Sequence, residues 1–113
     1  MKGFAALTIF VAPLLTAAID FNRDVRPILS DTCFKCHGPG ENKGDLRLDL
    51  REDALDAGVL SPGEVDKSEV VARLVSTDPD DIMPPPEANK VLTPEQIETL
   101  KTWIAEGAKE NKS

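Results

Sequence analysis

With 113 residues, 41% of them hydrophobic, the chain has room for one domain and a modest core. Its 13 Lys and Arg stand against 20 Asp and Glu, a formal charge of −7, which argues against nucleic acid and anionic membrane surfaces as partners. A surplus of acid is ordinarily a matter of solubility. Where such a surface docks, the complementary face of its partner is basic.

Residues 1–18 read as a secretory leader. Lys2 is a minimal basic start, Phe4 to Leu15 an apolar stretch interrupted by Pro13, and Thr16-Ala17-Ala18 small residues suited to cleavage after Ala18. The apolar stretch is short for a membrane span, so the mature chain, residues 19–113, is expected to have none. An uncleaved anchor is the alternative. Loss of Lys2 with the leader takes the charge from −7 to −8.

Asp24 is the expected N-cap of a first helix running into Cys33, with Pro27 in the first turn, where a missing N–H breaks no intrahelical bond. Phe21, Val25, Ile28 and Leu29 follow i, i+4, i+7, i+8 and predict one apolar face, set against the last helix. Next comes Cys33-Phe34-Lys35-Cys36-His37, the pattern of a covalent attachment site for c-type haem. Each thiol adds across one vinyl group, and two cysteines three positions apart lie about one helical turn from each other. His37 follows where the turn passes beneath the metal. A thioredoxin-like redox pair lacks its βαβ surroundings here. A zinc site would need two thiolates, the imidazole and a carboxylate, an unusual structural set. A plain disulfide is open to two cysteines in an oxidising compartment, but thioether formation consumes both sulfurs. Gly38-Pro39-Gly40 stops the helix.

After a polar loop from Glu41 to Asp45, Leu46, Leu48 and Leu50 alternate with Arg47, Asp49 and Arg51, the period of a half-buried strand. Arg47 and Arg51 are candidates to pair with haem propionates, since guanidinium offers a carboxylate two N–H bonds. Two solvated arginines beside acidic neighbours are the alternative. A short helix is expected over Glu52 to Ala57, ending at Gly58, and Ser61-Pro62-Gly63 marks a turn. Asp66 with Glu69 opens a further helix whose core face is Val70, Val71, Leu74 and Val75.

Ser76 to Val91 reads as a loop. Asp78, Asp80 and Asp81 lack the Gly and terminal Glu of an EF-hand and read as a solvated rim. Pro84, Pro85 and Pro86 predict an extended, stiff course beside Met83. The last helix has Thr93 as N-cap, Pro94 at N1 and Gln96 at N3 in a capping box. Ile97, Leu100, Ile104 and Ala108 form its buried stripe, and Gly107 marks its end. Trp103 flanks that stripe as a core anchor and is a candidate neighbour of the haem.

His37 is the single histidine, so a second histidine ligand is excluded. Met1 falls in the leader, which leaves Met83 as the thioether of the folded domain, 46 residues after His37 (83 − 37). A lone methionine usually fills a core. This one sits in a proline-rich loop with no helical pattern and reads as the second axial ligand. Histidine with methionine raises a haem's potential and suits it to electron transfer.

The run from Phe21 to Ala108 resembles a planctomycete-type cytochrome c domain, a branch of the class I cytochrome c fold. The residues that carry the resemblance are Val25-Arg26-Pro27-Ile28-Leu29, Cys33 to Pro39, Leu46-Arg47-Leu48-Asp49, Met83-Pro84-Pro85, Leu92 to Gln96, and Trp103-Ile104. The resemblance implies an all-α fold of about three to five short helices around one covalently bound haem c. It implies haem on Cys33 and Cys36, His37 proximal and Met83 distal, with Leu46 and Leu48 laid on the haem by an extended segment. In that family the domain often opens a much longer polypeptide. This sequence stops soon after one domain, so functions of the longer proteins are not expected to carry over. In class I cytochromes a backbone carbonyl further down the chain accepts from the second ring nitrogen of the proximal histidine; here Pro39 follows His37 by two residues, and residue types do not name the acceptor.

The expected function is that of an exported, periplasmic monohaem cytochrome, a monomer passing single electrons between redox proteins. A haem enzyme or gas sensor in which Met83 is displaced is the alternative, and it lacks a second histidine for distal acid–base work. A metal-binding or disulfide-bonded module without haem is the third. About 95 residues (113 − 18) bury little core unaided, so the apoprotein is expected to be poorly folded.

Overall fold

The computed structural model describes residues 18–110; the segment expected to be a leader, apart from Ala18, lies outside them. The expected all-α architecture is present. Four α-helices joined by short helical turns make up the described residues, with no strand and one isolated bridge between His37 and Asn42. No helix among the described residues is long and apolar enough to cross a membrane.

The first helical run starts earlier than expected. Its N-cap is Asp20, not Asp24: the Asp20 carboxylate accepts the Arg23 N–H at 2.8 Å, and the Asp24 carboxylate accepts the Asp20 N–H at 2.9 Å. A π-helical turn over Phe21–Val25 then leads directly into α1 (Arg26–Thr32). The widened turn answers Pro27, which has no N–H to give and whose ring crowds the carbonyl four residues back. Phe21, Val25, Ile28 and Leu29 are all buried, as their spacing predicts.

That face packs on α4 (Pro94–Ala105), where Leu100, Trp103 and Ile104 are buried. The Phe21 and Trp103 rings lie 5.5 Å apart at 37°, a contact worth about 0.5–1.5 kcal/mol beyond its buried area. Trp103 is thus in the middle of the buried face rather than beside it, and its indole N–H donates to the Lys109 carbonyl at 2.9 Å. The capping box of α4 forms as expected: the Gln96 N–H donates to Thr93 Oγ1 at 3.1 Å and the Thr93 N–H to Gln96 Oε1 at 2.9 Å.

α2 (Arg51–Asp56) ends at Ala57, followed by Gly58 at φ +76°, close to the expected bounds. Arg51 ties it to the end of α4, donating from Nε to the Ala108 carbonyl at 2.6 Å and from Nη2 to Gly107 at 3.3 Å. α3 (Glu69–Val75) departs from expectation at both ends. Asp66 lies in a 3₁₀ turn over Val65–Lys67, and Ser68 is the N-cap residue. The buried Ser68 hydroxyl turns back to accept the Ser61 N–H at 3.0 Å, with the Glu64 carbonyl 3.0 Å away. Val71 and Leu74 are buried, but Val75 is 54% exposed because the helix stops there and the chain leaves in extended form. Leu46, Leu48 and Leu50 form no strand; the Leu46 N–H donates to the Lys43 carbonyl, the Leu48 N–H to the His37 carbonyl, and the Leu50 carbonyl accepts from Asp53 and Ala54 of α2, with Leu50 42% exposed.

Candidate functional site

The loop that follows α1 is folded by its own backbone. The His37 N–H donates to the Cys33 carbonyl at 2.9 Å, the Lys43 N–H to Cys36 at 2.8 Å, and the Gly38 N–H to Glu41 at 2.8 Å. The chain then doubles back, so that the Leu48 N–H reaches the His37 carbonyl at 2.7 Å. This return brings the Leu46 carbonyl within 3.2 Å of His37 Nδ1. The acceptor that residue types left unassigned is therefore a main-chain oxygen nine positions on. An imidazole held at Nδ1 by a carbonyl presents Nε2 as its ligating nitrogen, with the tautomer and ring orientation fixed.

The second loop is joined to α3. The Met83 N–H donates to the Arg73 carbonyl at 3.1 Å, and Pro84 follows through a cis peptide bond. Pro85 is extended, but Pro86 opens a 3₁₀ turn over Pro86–Ala88, so the polyproline course expected through all three residues is cut short. The turn ends at Asn89, whose φ of +54° reverses the chain.

Between the two loops lies a cleft of about 360 Å³, within the range of about 300–1,000 Å³ usual for cofactor sites. Cys33, His37, Leu46, Leu48 and Met83 all line it. Aliphatic walls come from Val59 and from Val70 and Leu74 of α3, while Lys43, Glu69 and Arg73 bring charge to it. Cys36, Arg47 and Trp103 are not among the lining residues. Trp103 lies one layer behind, on a cavity of about 30 Å³ that shares Leu48, Val59 and Val70 with the cleft. Arg47 is engaged elsewhere, gripping Asp49 through Nε at 3.0 Å and Nη2 at 2.6 Å. Its hydrogen bond holds the Asp49 carboxyl below the usual carboxylate range. Arg51, the other arginine expected at a propionate, is spent on the end of α4. The cations that do reach the cleft, Lys43 and Arg73, carried no pattern that singled them out.

Burial pushes the Cys33 thiol above its ordinary pKa, against a smaller lowering by the Thr32 hydroxyl 3.4 Å from its sulfur. Cys33 and Cys36 are both free of any disulfide. A protonated thiol, an imidazole oriented through Nδ1 and a thioether converging on an aliphatic cleft form a donor set suited to covalently held haem.

Residues 33–87 match the family model described as Planctomycete cytochrome C. The match begins at Cys33 and contains Met83, so it spans both loops of the cleft. No curated protein and no solved structure matches the chain. The chain carries a planctomycete-type cytochrome c domain.

Proposed function

We propose that this domain is an exported, class I-like monohaem cytochrome that passes single electrons between redox proteins. In this reading haem c is attached through Cys33 and Cys36, with His37 and Met83 as its axial ligands. The observation that carries the reading is the convergence of Cys33, His37 and Met83 on one aliphatic cleft. Haem c, when bound, supplies a one-electron ferric–ferrous couple; the rest is the work of this chain's residues. The Leu46 carbonyl keeps the His37 ring in one orientation and tautomer, and so raises the basicity of its other nitrogen. Leu46, Leu48, Val59, Val70 and Leu74 keep water from the cleft, which favours the less charged state and lifts the potential. The short stiff run at Pro84 and Pro85 limits the loop freedom that must be lost to hold a thioether in place. The acidic surface, −7 over the whole chain, steers the protein toward a basic partner, with on-rates that fall as salt rises.

The test is production of the full chain in a host that matures c-type cytochromes, followed by intact-mass and visible spectroscopy. One haem added per chain, with a new N-terminus at Ile19, is the expected result. A colourless product would refute the haem reading. Ready binding of carbon monoxide by the reduced protein would favour an open site over a carrier.

A further inference from the structure

We infer that Arg73 is the positioning residue that holds Met83 at the cleft, an inference that rests on reading Met83 as an axial ligand. Met83 is a partition. It lines the cleft on one side and, on the other, an outer groove of about 500 Å³ shared with Ile82, Pro86 and the 89% exposed Val91. Whatever holds the Met83 loop therefore decides whether a small ligand passes from groove to cleft.

The loop before Met83 is closed on itself. The Asp78 carbonyl accepts the N–H groups of Asp81 at 3.0 Å and Ile82 at 2.9 Å. The Asp78 carboxylate accepts the Asp80 N–H at 2.9 Å. A turn bonded internally in this way moves as a unit about the extended Ser76. The Asp78 N–H donates to the Ser76 hydroxyl beside it at 3.1 Å; among the described residues, the other hydrogen bonds that tie residues 78–83 to the rest of the fold go to Arg73. Its carbonyl takes the Met83 N–H at 3.1 Å. Its Nη1 lies 3.4 Å from the Asp81 carbonyl and 4.0 Å from the Asp81 carboxylate. Its Nε is aimed by Glu69, one helical turn back, at 3.1 Å. One residue at the end of α3 thus fastens the loop through its main chain and its side chain together.

The side-chain fastening is partly exposed, 38% for Arg73 and 61% for Asp81, so its strength is that of a surface ion pair. The test is the affinity of neutral imidazole for the ferric holoprotein, since imidazole binds only when Met83 swings away. Arg73→Gln and Asp81→Asn are each expected to raise that affinity about two- to fivefold. The double variant should rise no further than Arg73→Gln alone, Arg73→Lys should restore part of the loss, and added salt should loosen the wild type but not Arg73→Gln. Denaturant midpoints measured alongside separate this from simple destabilisation, which would lower the midpoint and leave imidazole affinity in place. A wild type that shows the near-infrared sulfur–iron band, with Arg73→Gln and Asp81→Asn binding imidazole as it does, overturns the role of Arg73 alone. A wild type that lacks the band and binds imidazole as Met83→Ala does overturns the Met83 reading, and this inference with it.

Discussion

Substitution of Gly38 by alanine tests whether the loop geometry around His37 is as tight as described. Gly38 needs to be glycine for space, not for its dihedral angles. A methyl group there would overlap the Phe34 carbonyl oxygen and stand 3.0 Å from the Phe34 carbonyl carbon and 3.2 Å from its Cα. Those atoms are backbone, held by hydrogen bonds that include the Phe34 N–H to the Leu29 carbonyl at 3.0 Å. Relief requires a shift on the order of 1 Å between the two halves of the haem-motif loop, a form of overpacking that costs about 1–3 kcal/mol. At about 2 kcal/mol the thermal midpoint of a domain this size falls by roughly 8–16 °C. The same shift would part His37 from the Leu46 carbonyl, so the yield of covalently attached haem should fall as well. Gly40→Ala is the control, because nothing lies within 4 Å of the added methyl; it should change stability by less than about 1 kcal/mol. The assay is thermal unfolding of both holoproteins by circular dichroism, with haem content from the pyridine haemochrome. A Gly38→Ala protein with full haem content and a midpoint within about 2 °C of wild type would refute the close approach.

Ser68→Ala removes a buried hydroxyl that serves the Ser61 N–H; chemical denaturation should show a loss of about 1–3 kcal/mol. Thr93→Ala dismantles the capping box of α4 and should cost about 1 kcal/mol by the same measurement, with the visible spectrum unchanged. Asp24 is held down to about 2 from an ordinary 3.8, first by its hydrogen bond from Arg23 and then by the Asp20 N–H. A carboxyl whose folded pKa is depressed contributes stability above its unfolded value and loses it as pH falls through the folded one. Asp24→Asn should therefore lower the thermal midpoint near neutral pH and flatten its decline between pH 3.8 and about 2. An unaltered acid limb would count against the Asp24 contacts.

The haem motif is legible because its chemistry is written in consecutive residue types, Cys33 to His37. Elimination singles out Met83 among the thioethers, Met1 falling in the expected leader, and Met83 does line the cleft with His37. The cap of α4 is equally plain, since Thr93, Pro94 and Gln96 act within four positions of one another. Other features depend on where the chain returns in space. The partner of His37 is the Leu46 carbonyl, and every residue has a carbonyl, so no residue type marks it. Asp24 has the residue type of a cap, but the wide turn over Phe21–Val25 starts the helical run earlier and leaves Asp20 at its N-cap. Arg47 and Arg51 looked like anion binders because guanidinium suits carboxylates. Their partners turned out to be Asp49, two residues on, and carbonyls 56 and 57 residues away. Gly38 carries a steric requirement that its dihedral angles do not advertise. Val75 fell outside the core because periodicity does not say where a helix of 7 residues ends.

The most direct measurement is the near-infrared absorption of the ferric holoprotein, wild type beside Met83→Ala. A weak sulfur–iron band in the wild type, absent from the variant, together with a lowered reduction potential in the variant, is the expected result. An identical spectrum and potential in both proteins would contradict the placement of Met83 on the iron.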